Sequence, residues 1–301
     1  MAYLYLTILE ILYFSVNINE KRNIKRSVNT VFSGIKNNEE IKFIVKRVFQ
    51  GIRFHYYEKL FNACSSPETI RAFLKTHIES ENLPHIDESL SKGKGALLIS
   101  GHLGGIEFIP GYLAVNNYPV TIVVKFSSNH LREITTQKAE LFGIRLIEPV
   151  DTPNIIKAIC ENLRENRIVI TQCDEIEAWR PSQNTTIKFL GKWIYLDKML
   201  NVLAKRAKCG IHFAVMHRNK HFGYKFNVYS LEELSKHFPF PCDLPIGGVI
   251  LKFLEQYIYR YPQEWYQWQK YAAIKTLDSY DGDVVRVPFL AGLKKSLGKV
   301  S

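Results

Sequence analysis

From residue 96 onward the chain alternates short apolar runs with amphipathic ones, and this alternation limits the folds open to it. Strand patterning falls at 96–100, 120–124, 145–147, 168–172, 186–189, 212–217 and 225–229. Helical spacing fills 107–115, 131–142, 154–165 and 197–207, with a further helix near 248–260. Strands alternating with helices predict an α/β fold: a central, mostly parallel or mixed sheet flanked by helices.

Residues 20–92 read as mostly helical, an N-terminal extension to that sheet. Ile41 to Phe49 carries apolar residues at helical spacing with basic residues between them. Ser66-Pro67-Glu68 has the cap, the early proline and the acidic first turn of a helix start. Leu83-Pro84-His85 breaks the pattern, and Gly93-Lys94-Gly95 marks the entry to the first strand. The expected division is 1–92, a helical and membrane-associated region; 93–275, one α/β domain; and 276–301, a tail. With 301 residues the chain can bury a sizeable core.

The first strand carries the chemistry. Ala96-Leu97-Leu98-Ile99-Ser100 runs into Gly101-His102-Leu103-Gly104-Gly105-Ile106-Glu107. A histidine titrates near neutrality, and a carboxylate beside it can hold its tautomer, so the pair suits general-base work. On a regular helix residues five apart point roughly 140° away from each other. His102 and Glu107 can therefore meet only across an irregular turn, which Gly104-Gly105 permits. The plainer reading is a glycine-rich turn with an incidental surface histidine. Ligands of α/β sheets collect at carboxyl ends of strands. There the chain places Lys125, Ser127, Ser128 and Asn129 after the second strand, and Asp174 and Glu175 after the fourth. Lys125 offers a charge for an oxyanion or a phosphate, or is simply a solvated lysine.

The net charge of +11 favours an anionic partner: a phospholipid surface, an acidic carrier or nucleic acid. Charge is the sole argument for nucleic acid, since no helix-turn-helix, zinc-finger or RNP-like motif accompanies it. The five cysteines, Cys64, Cys160, Cys173, Cys209 and Cys242, form no CxxC pair, which argues against a zinc site or a disulfide framework. Cys173 reads as a small strand-end filler before it reads as a nucleophile. The apolar run 3–18 contains Glu10 and is shorter than the roughly 20 residues of a spanning helix. Lys21, Arg22, Lys25 and Arg26 follow it, an order that suits a segment dipped into a bilayer with its basic flank on the cytoplasmic side. A buried first helix is the alternative.

Taken in order, these blocks resemble the bacterial lipid A biosynthesis acyltransferases, within the wider glycerolipid acyltransferase superfamily. The residues that carry the resemblance are His102 and Glu107 in a His-x4-Glu arrangement, then Lys125 and Asn129 where Arg and Asn are usual. Asp174 closing a strand, Phe189-Leu190-Gly191, and Pro262-Gln263-Glu264-Trp265 complete it. It covers roughly 20–275. Lys125 keeps the charge of arginine without its bidentate fork. The small polar residues usual after the short strand are replaced near Tyr195-Leu196-Asp197.

The resemblance implies transfer of a fatty acyl group from a thioester, acyl carrier protein or acyl-CoA, to a hydroxyl of a lipid or glycolipid. His102 is then the base, Glu107 its orienting carboxylate, and Lys125 with the Gly104 and Gly105 amides the oxyanion stabiliser. Asn129 and Asp174 would position substrate, with a turn cap the alternative for Asp174. No metal or other cofactor is implied. The missing G-x-S-x-G elbow agrees with direct transfer. The implied setting is the cytoplasmic side of the inner membrane, peripheral or singly anchored. A non-catalytic lipid- or acyl-carrier-binding member of the same fold, or acylation of a phospholipid or other specialised acceptor, are the alternatives. Trp265, Tyr266 and Trp268 would line an acyl groove or pack the core. The apolar and basic stretch 287–297 would touch a bilayer or form a loose end.

Overall fold

The computed structural model describes residues 13–219, 223–236 and 244–277. Most of the apolar run 3–18, Cys242 and the stretch 287–297 lie outside the described residues.

Three helices lead in: α1 (Ile18–Phe32), α2 (Asn38–Cys64) and α3 (Pro67–Thr76). A capping box opens α2, Asn37 and Glu40 each accepting the other's backbone N–H. Ser66 caps α3 through the Thr69 N–H, with Pro67 in the first turn, as its sequence predicts. Then come β1 (Ile78–Glu81), α4 (Pro84–Ser91), β2 (Ala96–Ser100), α5 (Ile109–Val115), β3 (Val120–Val123) and α6 (Asn129–Leu141). The chain continues through β4 (Arg145–Ile147), α7 (Ile155–Arg164) and β5 (Ile168–Gln172). A hairpin of β6 (Pro181–Phe189) and β7 (Lys192–Asp197) precedes α8 (Met199–Ala207), β8 (Gly210–Arg218), β9 (Tyr224–Ser230) and α9 (Leu231–Lys236). The last helices are α10 (Ile246–Arg260) and the single turn α11 (Trp268–Tyr271).

Seven strands form one sheet in the order β1-β9-β8-β2-β5-β3-β4. All neighbours are parallel except β8 and β9. The α/β fold with a mostly parallel sheet and an N-terminal helical region is thus as expected. Strand β2 lies at the centre and is buried along its whole length. Its Leu97 and Ile99 join one core and Ala96 and Leu98 the other, so both faces are covered by packed side chains. Burial on both faces explains why this strand reads as an unbroken apolar run.

Two strands escape the sequence pattern. In β1 only Ile78 is buried, and the following Glu-Ser-Glu carries no apolar alternation. In β7 the alternation is present, with Ile194 and Leu196 buried. It is masked by the helix that starts two residues later. Leu190 and Gly191, both at positive φ, make the two-residue turn that joins β6 to β7. Leu190 tolerates this because its carbonyl accepts from the Tyr271 hydroxyl at 2.8 Å and its N–H donates to Glu255.

Candidate active site

Parallel pairing of β2 with β5 sets Ser100 opposite Gln172. Two residues beyond each lie His102 and Asp174, facing each other at the carboxyl edge of the sheet. His102 Nδ1 stands 2.9 Å from Asp174 Oδ1. The His102 backbone N–H donates to the same carboxylate at 3.0 Å, and Trp265 Nε1 donates to its Oδ2 at 2.8 Å. Asp174 is fully buried. Three fixed donors therefore hold one carboxylate, which in turn fixes the imidazole ring.

The other ring nitrogen, Nε2, is 3.1 Å from Glu175 Oε1. A carboxylate only accepts, so an imidazole between two of them must donate from both nitrogens, as the imidazolium does. Burial alone would depress His102, but Asp174 and then Glu175 outweigh it and raise the ring to about 10. The hydrogen bond from His102 is the main reason that Glu175 falls to about 2. Lys270 lies 3.7 Å from Glu175 and Lys125 adds its charge to the same carboxylate. Glu175 is 43% exposed, so it can leave Nε2 by rotating into solvent.

A pH test follows from this geometry. Removing the Glu175 charge takes away an anion that favours the protonated ring, so His102 must titrate at lower pH. In Glu175→Gln the acidic limb of kcat/KM against pH is expected to move down by about one unit or more. An unmoved limb would mean that His102 does not govern it.

The turn after β2 is held by the segment that follows α10. Tyr266 N–H donates to the His102 carbonyl at 2.9 Å and Gly104 N–H to the Glu264 carbonyl at 2.9 Å. Gly105 N–H donates to Met216 on β8 at 2.7 Å. Gly104 has φ +60°, and a Cβ there would stand 1.9 Å from the Met216 carbonyl oxygen, so no side chain fits. These bonds revise one expectation. The Gly104 and Gly105 amides are engaged within the protein, so neither N–H is free for an oxyanion.

Glu107 also departs from expectation. The bonded glycine turn feeds a short 3-10 turn, Ile106–Phe108, that carries Glu107 toward α2. Its carboxylate lies 3.6 Å from Lys59 and 3.9 Å from His55, and its carbonyl accepts from Asn62 Nδ2. Among the described residues the carboxylates against the His102 ring are Asp174 and Glu175. Burial pushes His55 down, so Lys59 is the charged partner of Glu107. Asn129 is exposed at the start of α6, behind the Ser128 cap, and makes no hydrogen bond to the His102 cluster. Lys125 is likewise exposed.

Behind the turn lies a buried polar network. Arg218 pairs with Glu58 at 2.7 Å and donates to the Tyr266 hydroxyl at 2.6 Å. Tyr224 also donates to Glu58, and the Tyr266 hydroxyl donates to the Gly104 carbonyl. Burial raises Glu264, next to this network, to about 7. Trp265 and Trp268 are fully buried, so the aromatic C-terminal block serves the core and the site's scaffold. Burial pushes the Cys173 thiol up, which suits a filler and not a nucleophile. A small crease of about 30 Å³, lined by Cys173, Glu175, Trp179, Leu200 and Leu251, adjoins the site.

Glu175 and Trp265 have clearer roles in the folded site than their sequence positions suggest. The readable signal is the pair of equal five-residue buried strands, each followed at the same offset by a polar group: His102 after one, Asp174 after the other.

A fixed imidazole at the carboxyl edge of an α/β sheet, flanked by carboxylates and cations, holds the kinds of group that general acid–base chemistry uses. The model of the bacterial lipid A biosynthesis acyltransferase family matches residues 6–270. The chain belongs to that family and is an acyltransferase. Among curated proteins no relative matches it.

Proposed function

We propose that this protein transfers a fatty acyl group from a thioester, acyl carrier protein or acyl-CoA, to a hydroxyl of a lipid A precursor-like lipid or glycolipid. The observation that carries the reading is the His102–Asp174 pair with its three fixed donors. Asp174 holds the Nδ1–H tautomer and leaves Nε2 for the substrate. In the resting site Glu175 occupies Nε2. Acceptor binding displaces Glu175, and the loss of that anion lowers the affinity of His102 for its proton. The neutral ring then takes the hydroxyl proton as the oxygen attacks the thioester carbonyl. The tetrahedral oxyanion forms beside Lys125 and Lys270, and its collapse expels the thiolate, which regains a proton from His102. Direct transfer suffices, because a thioester is already activated. The reaction belongs at a lipid surface, on the cytoplasmic side of the inner membrane.

Labelled acyl carrier protein and acyl-CoA, each incubated with a total lipid extract, test this. Wild type is expected to label one lipid from one of the donors. His102→Ala, folded by circular dichroism, is expected to lose at least about 10²-fold of that labelling. Full labelling by a folded His102→Ala protein would overturn the mechanism.

A further inference from the structure

Helices α1 and α2 enclose a cleft of about 700 Å³ whose described lining includes none of the residues that contact His102. Lys21 and Lys25 line it from α1, and Lys42, Lys46 and Arg53 from α2. Lys42 pairs with Glu39, itself outside the cleft. No carboxylate lines the cleft among the described residues. Its floor is apolar: Phe14, Ile41, Val45 and Phe49. Large exposed apolar side chains crowd the same N-terminal segment, Val16 at 81% and Phe43 at 59% exposure, with Ile18, Phe54, Tyr57 and Leu60. Among the described residues no helix is long and apolar enough to cross a membrane.

Two physical requirements meet in this cleft. Among the described residues Lys21, Lys25 and Lys46 on the rim pair with no carboxylate, and such cations attract an anion. A recessed apolar floor of this volume takes a compact amphiphile, where an acidic protein surface would need a broad polar face. Exposed aromatic and aliphatic side chains beside basic ones are the composition of a surface that sits in the headgroup layer. We infer that the α1–α2 cleft binds the headgroup of an anionic phospholipid and holds the protein to the bilayer. The inference deepens the reading that the chain works at a lipid surface, and rests on it. It does not involve acyl transfer.

Flotation of the full chain with vesicles tests it without turnover. The vesicles are phosphatidylethanolamine alone, or phosphatidylethanolamine mixed with phosphatidylglycerol. Wild type is expected to partition onto the anionic vesicles. Lys25→Glu with Lys46→Glu is expected to weaken that partition by about 30-fold or more. Lys205→Glu with Arg206→Glu makes the same charge change on α8, outside the cleft, and is expected to cost less than about threefold. Val45→Trp fills the floor and leaves every charge in place. Once circular dichroism shows it folded, it too should bind weakly. Equal losses from the two charge pairs, or full binding by folded Val45→Trp, would mean diffuse surface attraction and would overturn the cleft as a site. Loss of acyl carrier protein binding with vesicle binding intact would make it a carrier-docking surface instead. Wild type that floats with neither vesicle would sink the lipid-surface reading as a whole.

Discussion

Asp174→Asn is expected to lower kcat for acyl transfer by about 10³-fold or more, with little change in KM. The carboxylate accepts from the His102 N–H, His102 Nδ1 and Trp265 Nε1. An asparagine can keep one oxygen as an acceptor but must aim an amide N–H at one of these donors. The ring then loses its fixed tautomer, and Nε2 no longer faces the substrate as the free base. On the proposed mechanism the substitution also removes the charge that would steady the imidazolium in the transition state. Steady-state kinetics, with thermal unfolding as the control for folding, decide it. A folded variant within tenfold of wild type would show that Asp174 is only a structural cap, and would return the orienting role to another carboxylate.

The second large effect is on stability. Arg218→Met is expected to destabilise the protein by about 3–5 kcal/mol. Glu58 is 1% exposed, and its charge is balanced by the Arg218 guanidinium. Its Oε2 already has no hydrogen-bond partner. Without Arg218 the carboxylate is left as an uncompensated buried charge. The cost therefore lies in the orphaned anion more than in the lost contact. Adding Glu58→Gln to Arg218→Met should recover about half of the loss. Urea unfolding of the two single variants and the double variant measures this. A double variant no more stable than Arg218→Met alone would show that packing around the guanidinium, not charge, is what matters.

Much of the fold was legible because its central strands are short and apolar. β2, β4 and β5 fall at their expected bounds, since both faces of the central pair are buried and flanking glycine or polar residues end them. β1 was hidden because its single buried residue leaves no periodicity to read. His102 and Asp174 stood out as polar groups at strand ends, but their partnership did not. Pairing of β2 with β5 joins segments some 70 residues apart, and no local spacing reports it. Glu107 drew attention because it is near in sequence. The hydrogen bonds that turn it away come from Glu264 and Met216, which are far along the chain. The role of Trp265 was hidden for the same reason.

The bridge between the 264–266 segment and the turn at His102 bears on the order in which the protein is made. A nascent chain that has just released β9 from the ribosome already holds every strand of the seven-stranded sheet and both His102 and Asp174. It still lacks the indole that holds the far side of Asp174 and the backbone groups that anchor Gly104 and His102. The full set of bonds around His102 and Asp174 therefore forms late, after α10 has been synthesised and the chain has folded back. The N-terminal helices, with their cationic cleft, are translated before any strand of the sheet. On the proposal that this cleft binds a lipid headgroup, the chain would reach the membrane before it could act on anything there.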